Sequence, residues 1–229
     1  MMSKYAGFDP SPFNAHQKLI RLVGENKTVL DVGCAAGHLG RVLQDEHGCR
    51  VWGIERDTQA AEVAAQNLHQ VLVADLDTLD YETLEFPIDH FDVLLFADVL
   101  EHLRDPWGTL RGLRPYLRDE GCVLISLPNV AHLGPRLKLL FGHFDYRHKG
   151  ILDEGHLRFF TLRGGRRLLQ QGGYRITQVD TTFSLPSLGL DRRYWYARST
   201  DRLGSLWPGL LAYQFIFRAV NDHSGEPGQ

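Results

Sequence analysis

A chain of 229 residues, 43% hydrophobic and 23% charged, carries enough apolar side chains for a full core and excludes a wholly disordered protein. Its net charge of -3 argues against non-specific nucleic-acid binding, so no nucleic-acid partner is expected. Cys34, Cys49 and Cys122 lie in unrelated contexts without a CxxC pair, which excludes a zinc ribbon and a disulfide framework and points to reduced thiols in the cytoplasm.

Residues 1–17 hold no apolar h-region of a signal peptide, and no apolar run along the chain reaches the ~18 residues of a membrane span. Residues 13–24 place Phe13, His16, Leu19, Ile20 and Val23 at helical spacing, with Ser11 and Pro12 as a cap and first-turn pair. Apolar runs then alternate with helical segments. The runs are TVLDV (28–32), RVWGIE (50–55), QVLVA (70–74), FDVLLF (91–96) and CVLISL (122–127), and the helices fall near 39–47, 57–67 and 106–117. The runs are continuously apolar, the pattern of parallel strands buried on both faces. The rhythm predicts an α/β protein with an open parallel sheet covered by helices.

After residue 127 the rhythm changes. Residues 128–160 are too long for a simple connection and form an acceptor-side insert within a single domain spanning 1–229. A helix is expected at 162–171, capped by Thr161 and stopped by Gly172 and Gly173. YRITQVD (174–180) and LAYQFIFRAV (211–220) read as strands, the latter a closing strand at the sheet edge, which brings the strand count to seven. The aromatic segment 184–209 between them is irregular, and residues 221–229 read as a disordered tail.

The chemistry begins in TVLDVGCAAGHLG (28–40). The dinucleotide fingerprint G-x-G-x-x-G fails because position 35 is Ala. Asp31 ends the first strand at the carboxyl edge, where ligands of open sheets bind. A carboxylate there repels a pyrophosphate and attracts an ammonium group. The bare turn around Gly33 and Gly37 lets a ligand reach main-chain N–H groups at the helix start. Glu55, at the tip of the second strand, is placed to accept from both ribose hydroxyls. Asp75 is placed to accept from an adenine amine, and Leu76 to offer apolar contact and an N–H. An amino-acid end, a ribose and an adenine together describe S-adenosylmethionine.

On VLDVGCAAGHLG, VWGIERD, VADLD and FDVLLFADVLEHLRDP the chain resembles class I S-adenosylmethionine-dependent methyltransferases over residues 13–220. LPNVAHL, RLKLLFG and GILDEGHLRFFT resemble a bacterial subgroup often associated with glycosyltransferases, and more distantly ubiquinone-biosynthesis O-methyltransferases and MetW-like proteins. The family's GCGxG is GCAAG here. The resemblance implies a Rossmann-like sheet of order 3-2-1-4-5-7-6 with strand 7 antiparallel. It also implies a cofactor contact set of Asp31, Gly33, Cys34, Ala35, Gly37, Glu55, Arg56, Asp75, Leu76, Asp98 and Val99.

Methyl transfer needs alignment above all, and a base where the acceptor must lose a proton. His156 is the preferred catalytic candidate, with His102 and Asn129 behind it; for each, a structural role is the competing reading. Asp98, Glu101, His102 and His156 form a candidate divalent-metal set, which the resemblance to small-RNA 2′-O-methyltransferases and some ubiquinone-pathway enzymes extends. Tyr146 is a candidate for the acceptor pocket. Arg136, Lys138, Arg147 and Lys149 are candidates for meeting an anionic substrate. Tyr194, Trp195, Tyr196 and Trp207 are candidates for a sugar-binding wall or a dimer contact. The expected reaction is O-methylation of a small-molecule or glycan-linked acceptor by a monomer or homodimer. N-methylation of an amino sugar or other amine, a non-catalytic partner protein and an NAD-dependent oxidoreductase are the alternatives.

Overall fold

Helix α1 (Ala15–Val23) starts after Asn14, whose side-chain oxygen accepts from the Gln17 N–H at 2.8 Å. The cap is therefore Asn14, while Ser11 and Pro12 lie outside the described residues, which in this computed structural model are 14–183 and 207–223. Leu19, Ile20 and Val23 bury the inner face of α1 against the sheet. Lys18 is buried on the same helix, and its ammonium donates to the Thr181 carbonyl at 2.6 Å and to Asp180 at 3.3 Å.

Among the described residues seven strands form one sheet in the order β3-β2-β1-β4-β5-β7-β6. They are β1 (Thr28–Val32), β2 (Arg50–Glu55), β3 (Gln70–Val73), β4 (Phe91–Ala97), β5 (Leu117–Pro128), β6 (Tyr174–Phe183) and β7 (Ala212–Asn221). The first five are parallel, and β7 runs antiparallel to both β5 and β6. The closing strand is therefore an interior strand, with β6 at the edge. β3 also departs from the buried reading. It is the other edge, no strand among the described residues pairs with its far side, and Val73 is half exposed.

The helices are α2 (His38–His47), α3 (Thr58–Ala64), α4 (Pro106–Leu113), α5 (Leu133–Leu140), α6 (Leu162–Gln171) and the short α7 (Pro208–Leu211). The helix expected to reach residue 117 stops at Leu113. Pro115 has no N–H to continue the ladder, and a 3-10 turn over Arg114–Tyr116 feeds β5 directly. α6 behaves as its sequence predicts: Thr161 Oγ1 accepts from the Gly164 N–H at 3.1 Å, and Gly173 takes φ 86°. Two apolar clusters cover the two faces of the sheet. One holds Leu30, Phe96, Ile125 and Phe217, the other Val29, Leu95, Leu124 and Ile216. Each fully buried Leu, Ile or Phe in them contributes roughly 1.5–3 kcal/mol.

The insert is tied at both ends. Asn129 pairs with Phe160 across its neck, and the Val130 N–H donates to the Phe160 carbonyl at 3.0 Å. At the other end of the chain, Asn221 pairs with Tyr174 and the Asp222 N–H donates to the Gly173 carbonyl. Residues 221 and 222 thus belong to the folded sheet, not to a tail.

Candidate active site

Parallel strands carry their last residues to one edge, so β1, β2 and β4 bring Asp31, Glu55 and Asp98 to the same rim. Asp31 is 2% exposed, and its Oδ2 has no hydrogen-bond partner among the described residues. Burial, reinforced by the Glu55 charge, pushes its carboxyl up to about 7. Such a group gains from a cation brought against it, which fits the ammonium of an amino-acid end.

The turn that follows differs from the open cradle expected of it. The Gly33 and Cys34 N–H groups donate to the Ile54 carbonyl at 2.8 and 3.1 Å, and the Gly37 N–H donates to Cys34. Glu55 Oε2 accepts from the Ala35 N–H at 2.9 Å, and its Oε1 from the Asp57 N–H at 2.9 Å. These four loop donors are thus used inside the chain. What stays open is the start of α2, because Gly37 has no side chain to cap it. Glu55 holds the loop in shape, and each of its oxygens keeps a lone pair for a hydroxyl.

The loop's small residues have steric reasons. A Cβ on Gly33 would lie 2.7 Å from Val99 Cγ2, at a backbone φ of 74°. A Cβ on Gly53 would lie 2.5 Å from Cys34 Sγ. Cys34 is buried, and burial together with Asp31 and Glu55 raises its thiol so far that it stays protonated. Ala35 sits at φ 47°, in the left-handed region, where the family pattern has Gly. Gly33→Ala is therefore expected to cost about 1–3 kcal/mol, from overpacking plus backbone strain, as a lowered denaturation midpoint with an unchanged m-value.

On the same rim, Asp75 is exposed and accepts from the Asp77 N–H at 3.0 Å, while Leu76 is buried with its carbonyl taking the Tyr81 hydroxyl at 2.7 Å. Arg56 is exposed.

The second pole follows β4. Asp98 takes φ 57°, and its Oδ1 accepts from Ser126 Oγ at 2.6 Å and from Gln214 Nε2 at 2.8 Å. Its Oδ2 lies 4.0 Å from His16 Nε2. Sequence reasoning missed Ser126, Gln214 and His16, and Gln214 stands 116 positions from Asp98 with no local signal. Three residues on, Glu101 is 1% exposed, and neither of its oxygens has a hydrogen-bond partner among the described residues. Burial, then the Asp98 charge, raises its carboxyl well above the usual range.

Two imidazoles meet Glu101. His102 Nδ1 donates to the Gly155 carbonyl at 2.8 Å, and His156 Nδ1 to the Ile151 carbonyl at 3.1 Å. A carbonyl only accepts, so in each neutral ring Nδ1 carries the proton and Nε2 presents a lone pair. His156 Nε2 lies 4.0 Å from Glu101 Oε1, and the two rings stand 4.8 Å apart at 72°. Burial and the neighbouring His102 lower the basicity of His156. Gly155 permits this approach, because a Cβ there would lie 3.2 Å from His102 Nδ1.

Glu101, His102 and His156 can each offer a ligand atom within 4.8 Å of the others. Asp98, expected as a fourth ligand, does not join them, because its carboxylate is turned to Ser126 and Gln214. A buried carboxylate with two idle oxygens, under two imidazoles anchored through Nδ1, is a donor set that fits a divalent ion.

The insert places the remaining candidates. Asn129 is fully buried, and its amide donates to the Ala212 carbonyl and accepts from the Ala131 N–H, which makes it a pin between β5 and β7 and leaves no surface for an acceptor. The segment before His156 is not a flexible loop, because Ile151, Leu152 and Asp153 are buried and Asp153 Oδ1 accepts from the Gly155 N–H at 2.7 Å. Tyr146 is exposed and meets Phe144 edge-on. Arg136, Arg147 and Lys149 are exposed, and Lys138 is half-buried. Tyr194, Trp195 and Tyr196 lie outside the described residues, and Trp207 is 64% exposed. Among the described residues no helix is long and apolar enough to cross a membrane.

A family model described as a methyltransferase domain matches residues 13–179. The chain belongs to this methyltransferase family. Its relatives include a ubiquinone biosynthesis O-methyltransferase of Psychrobacter arcticus, 25% identical over 81% of this chain and 72% of the relative. One of Coxiella burnetii is 29% identical over 70% of this chain and 72% of its own length. A solved S-adenosylmethionine-dependent methyltransferase from Archaeoglobus fulgidus shares the fold, with a TM-score of 0.63 at 16% identity over 90% of each chain. The protein is an S-adenosylmethionine-dependent methyltransferase. That identity displaces the nicotinamide and non-catalytic alternatives, and the seven-stranded order implied by the family resemblance is the order found.

Proposed function

We propose that this methyltransferase methylates a hydroxyl of a small-molecule or glycan-linked acceptor, with the acceptor meeting the Glu101–His102–His156 cluster. The observation that carries the proposal is the buried Glu101 carboxyl, without a hydrogen-bond partner among the described residues, facing the His102 and His156 rings, each anchored through Nδ1. Removing a proton from a hydroxyl calls for such a pole, and the similarity to ubiquinone biosynthesis O-methyltransferases supports oxygen as the acceptor atom.

Asp31 takes the ammonium end of the donor, Glu55 its ribose and Asp75 its adenine. Bound S-adenosylmethionine supplies a methyl group already activated by the sulfonium charge. The chain's own task is alignment, worth as much as ~7–11 kcal/mol in favourable cases. Ser126 and Gln214 fix Asp98 and hence the turn leading to Glu101. The Ile151 and Gly155 carbonyls aim the two Nε2 lone pairs. Glu101, His102 and His156 would hold a divalent ion, which supplies Lewis acidity that lowers the pKa of an acceptor hydroxyl.

A second reading needs no metal. His156, kept neutral by burial, accepts the hydroxyl proton at Nε2 and returns it to solvent. Titrating chelator-treated protein with manganese separates the two. The metal reading expects one site of bound Mn²⁺ by electron paramagnetic resonance, lost in Glu101→Gln. No bound manganese, with turnover indifferent to chelator, leaves His156 as the base. For the acceptor, thermal shifts with S-adenosylhomocysteine present are expected for phenols or sugars, and shifts confined to amines would overturn the hydroxyl assignment.

A further inference from the structure

Beside the acceptor pole, where the Phe159 ring meets the His156 ring at 6.2 Å, α4, α6 and residues 157–160 line an open cavity of about 630 Å³. Its walls include Trp107, Arg158, Phe159, Arg167 and Gln171, and no carboxylate lines it. The two helices, PWGTLRGL and LRGGRRLLQQ, hold four arginines and no acid, in a chain whose net charge is -3. Among the described residues neither Arg158 nor Arg167 makes an ion pair.

The cavity is also preorganised. The Arg158 guanidinium lies 5.5 Å from the centre of the Trp107 ring, and its Nη2 donates to the Arg104 carbonyl. Its main-chain N–H donates to the Glu101 carbonyl at 2.9 Å, which fixes the backbone beneath it. The Trp107 indole N–H is buried without an acceptor among the described residues. Phe159, Phe160 and Leu168 add an apolar wall. A guanidinium already held in place loses less entropy on gripping an anion than a free one does.

We propose that this cavity binds a ring compound carrying a phosphoryl group, next to the acceptor pole and apart from the Asp31–Glu55 end. Two unpaired guanidinium groups match a phosphoryl dianion better than a single carboxylate, and the aromatic wall calls for a ring in the same ligand.

Calorimetric titration of the whole protein with phenyl phosphate, inorganic phosphate and benzoate tests this. One saturable site is expected for phenyl phosphate, about tenfold or more tighter than for either partial probe, and weaker at high salt. Arg167→Gln and Arg158→Gln should each weaken it about tenfold or more. S-adenosylhomocysteine affinity in Arg167→Gln should match the wild type. Benzoate binding as tightly as phenyl phosphate would remove the phosphoryl assignment. No saturation at millimolar phenyl phosphate, displacement by S-adenosylhomocysteine, or binding indifferent to both arginine changes would overturn the site.

Discussion

Asp31→Asn is expected to weaken S-adenosylhomocysteine binding by about 30- to 100-fold while making the ligand-free protein more stable at neutral and higher pH. The first effect is the loss of a buried charge-assisted contact with an ammonium, worth about 2–3 kcal/mol. The second follows from the carboxyl pKa of about 7, raised by burial and then by Glu55. An aspartate raised in the folded state contributes fully below its unfolded pKa near 4. That contribution is lost as pH climbs through 7. The buried carboxylate then costs on the order of 2–4 kcal/mol, which Asn avoids. Denaturation midpoints of the two proteins should therefore converge near pH 4 and diverge towards pH 8. A parallel pH course for both would show that Asp31 is not the strained carboxylate described here.

Glu101→Gln is the second large effect. Gln keeps the volume but cannot ionise and offers one ligand oxygen fewer. Methyl transfer is expected to fall by about 10²–10⁴-fold, the range for loss of acid–base or metal assistance. S-adenosylhomocysteine affinity should hold, because Glu101 lies outside the Asp31–Glu55 end. His156→Ala should act in the same direction, since both residues serve one cluster, and the double variant should lose little more than either alone. Turnover by Glu101→Gln within a few-fold of wild type would remove the cluster from the reaction.

The strands that position this site were legible because their signal is local. TVLDV, RVWGIE and FDVLLF are apolar on both faces, and all three are interior strands. Where coverage depends on distant chain, the local signal misleads: QVLV is as apolar as its neighbours yet forms an edge, and the closing strand lies between β5 and β6. The rim carboxylates were legible for the same reason, since Asp31 and Glu55 sit at strand tips. Their partners were not. Glu55 grips Ala35 across 20 positions, and Gln214 reaches Asp98 across 116. Asp98, Glu101 and His102 stand at D-x-x-E-H spacing in the sequence, and His156, named with them, reaches Glu101 and His102 through the fold of the insert. The same spacing wrongly enlisted Asp98, because the left-handed backbone at that residue turns its carboxylate away, a feature invisible in spacing.

The most direct test of the account is proton release on cofactor binding. Calorimetry of S-adenosylhomocysteine binding at pH 7, in two buffers of different ionisation enthalpy, counts the protons exchanged. An Asp31 carboxyl poised near 7 should shed about half a proton per site as the ammonium settles against it, and Asp31→Asn should shed none. Binding without linked proton release, or an absence of binding by folded protein, would contradict the assignment.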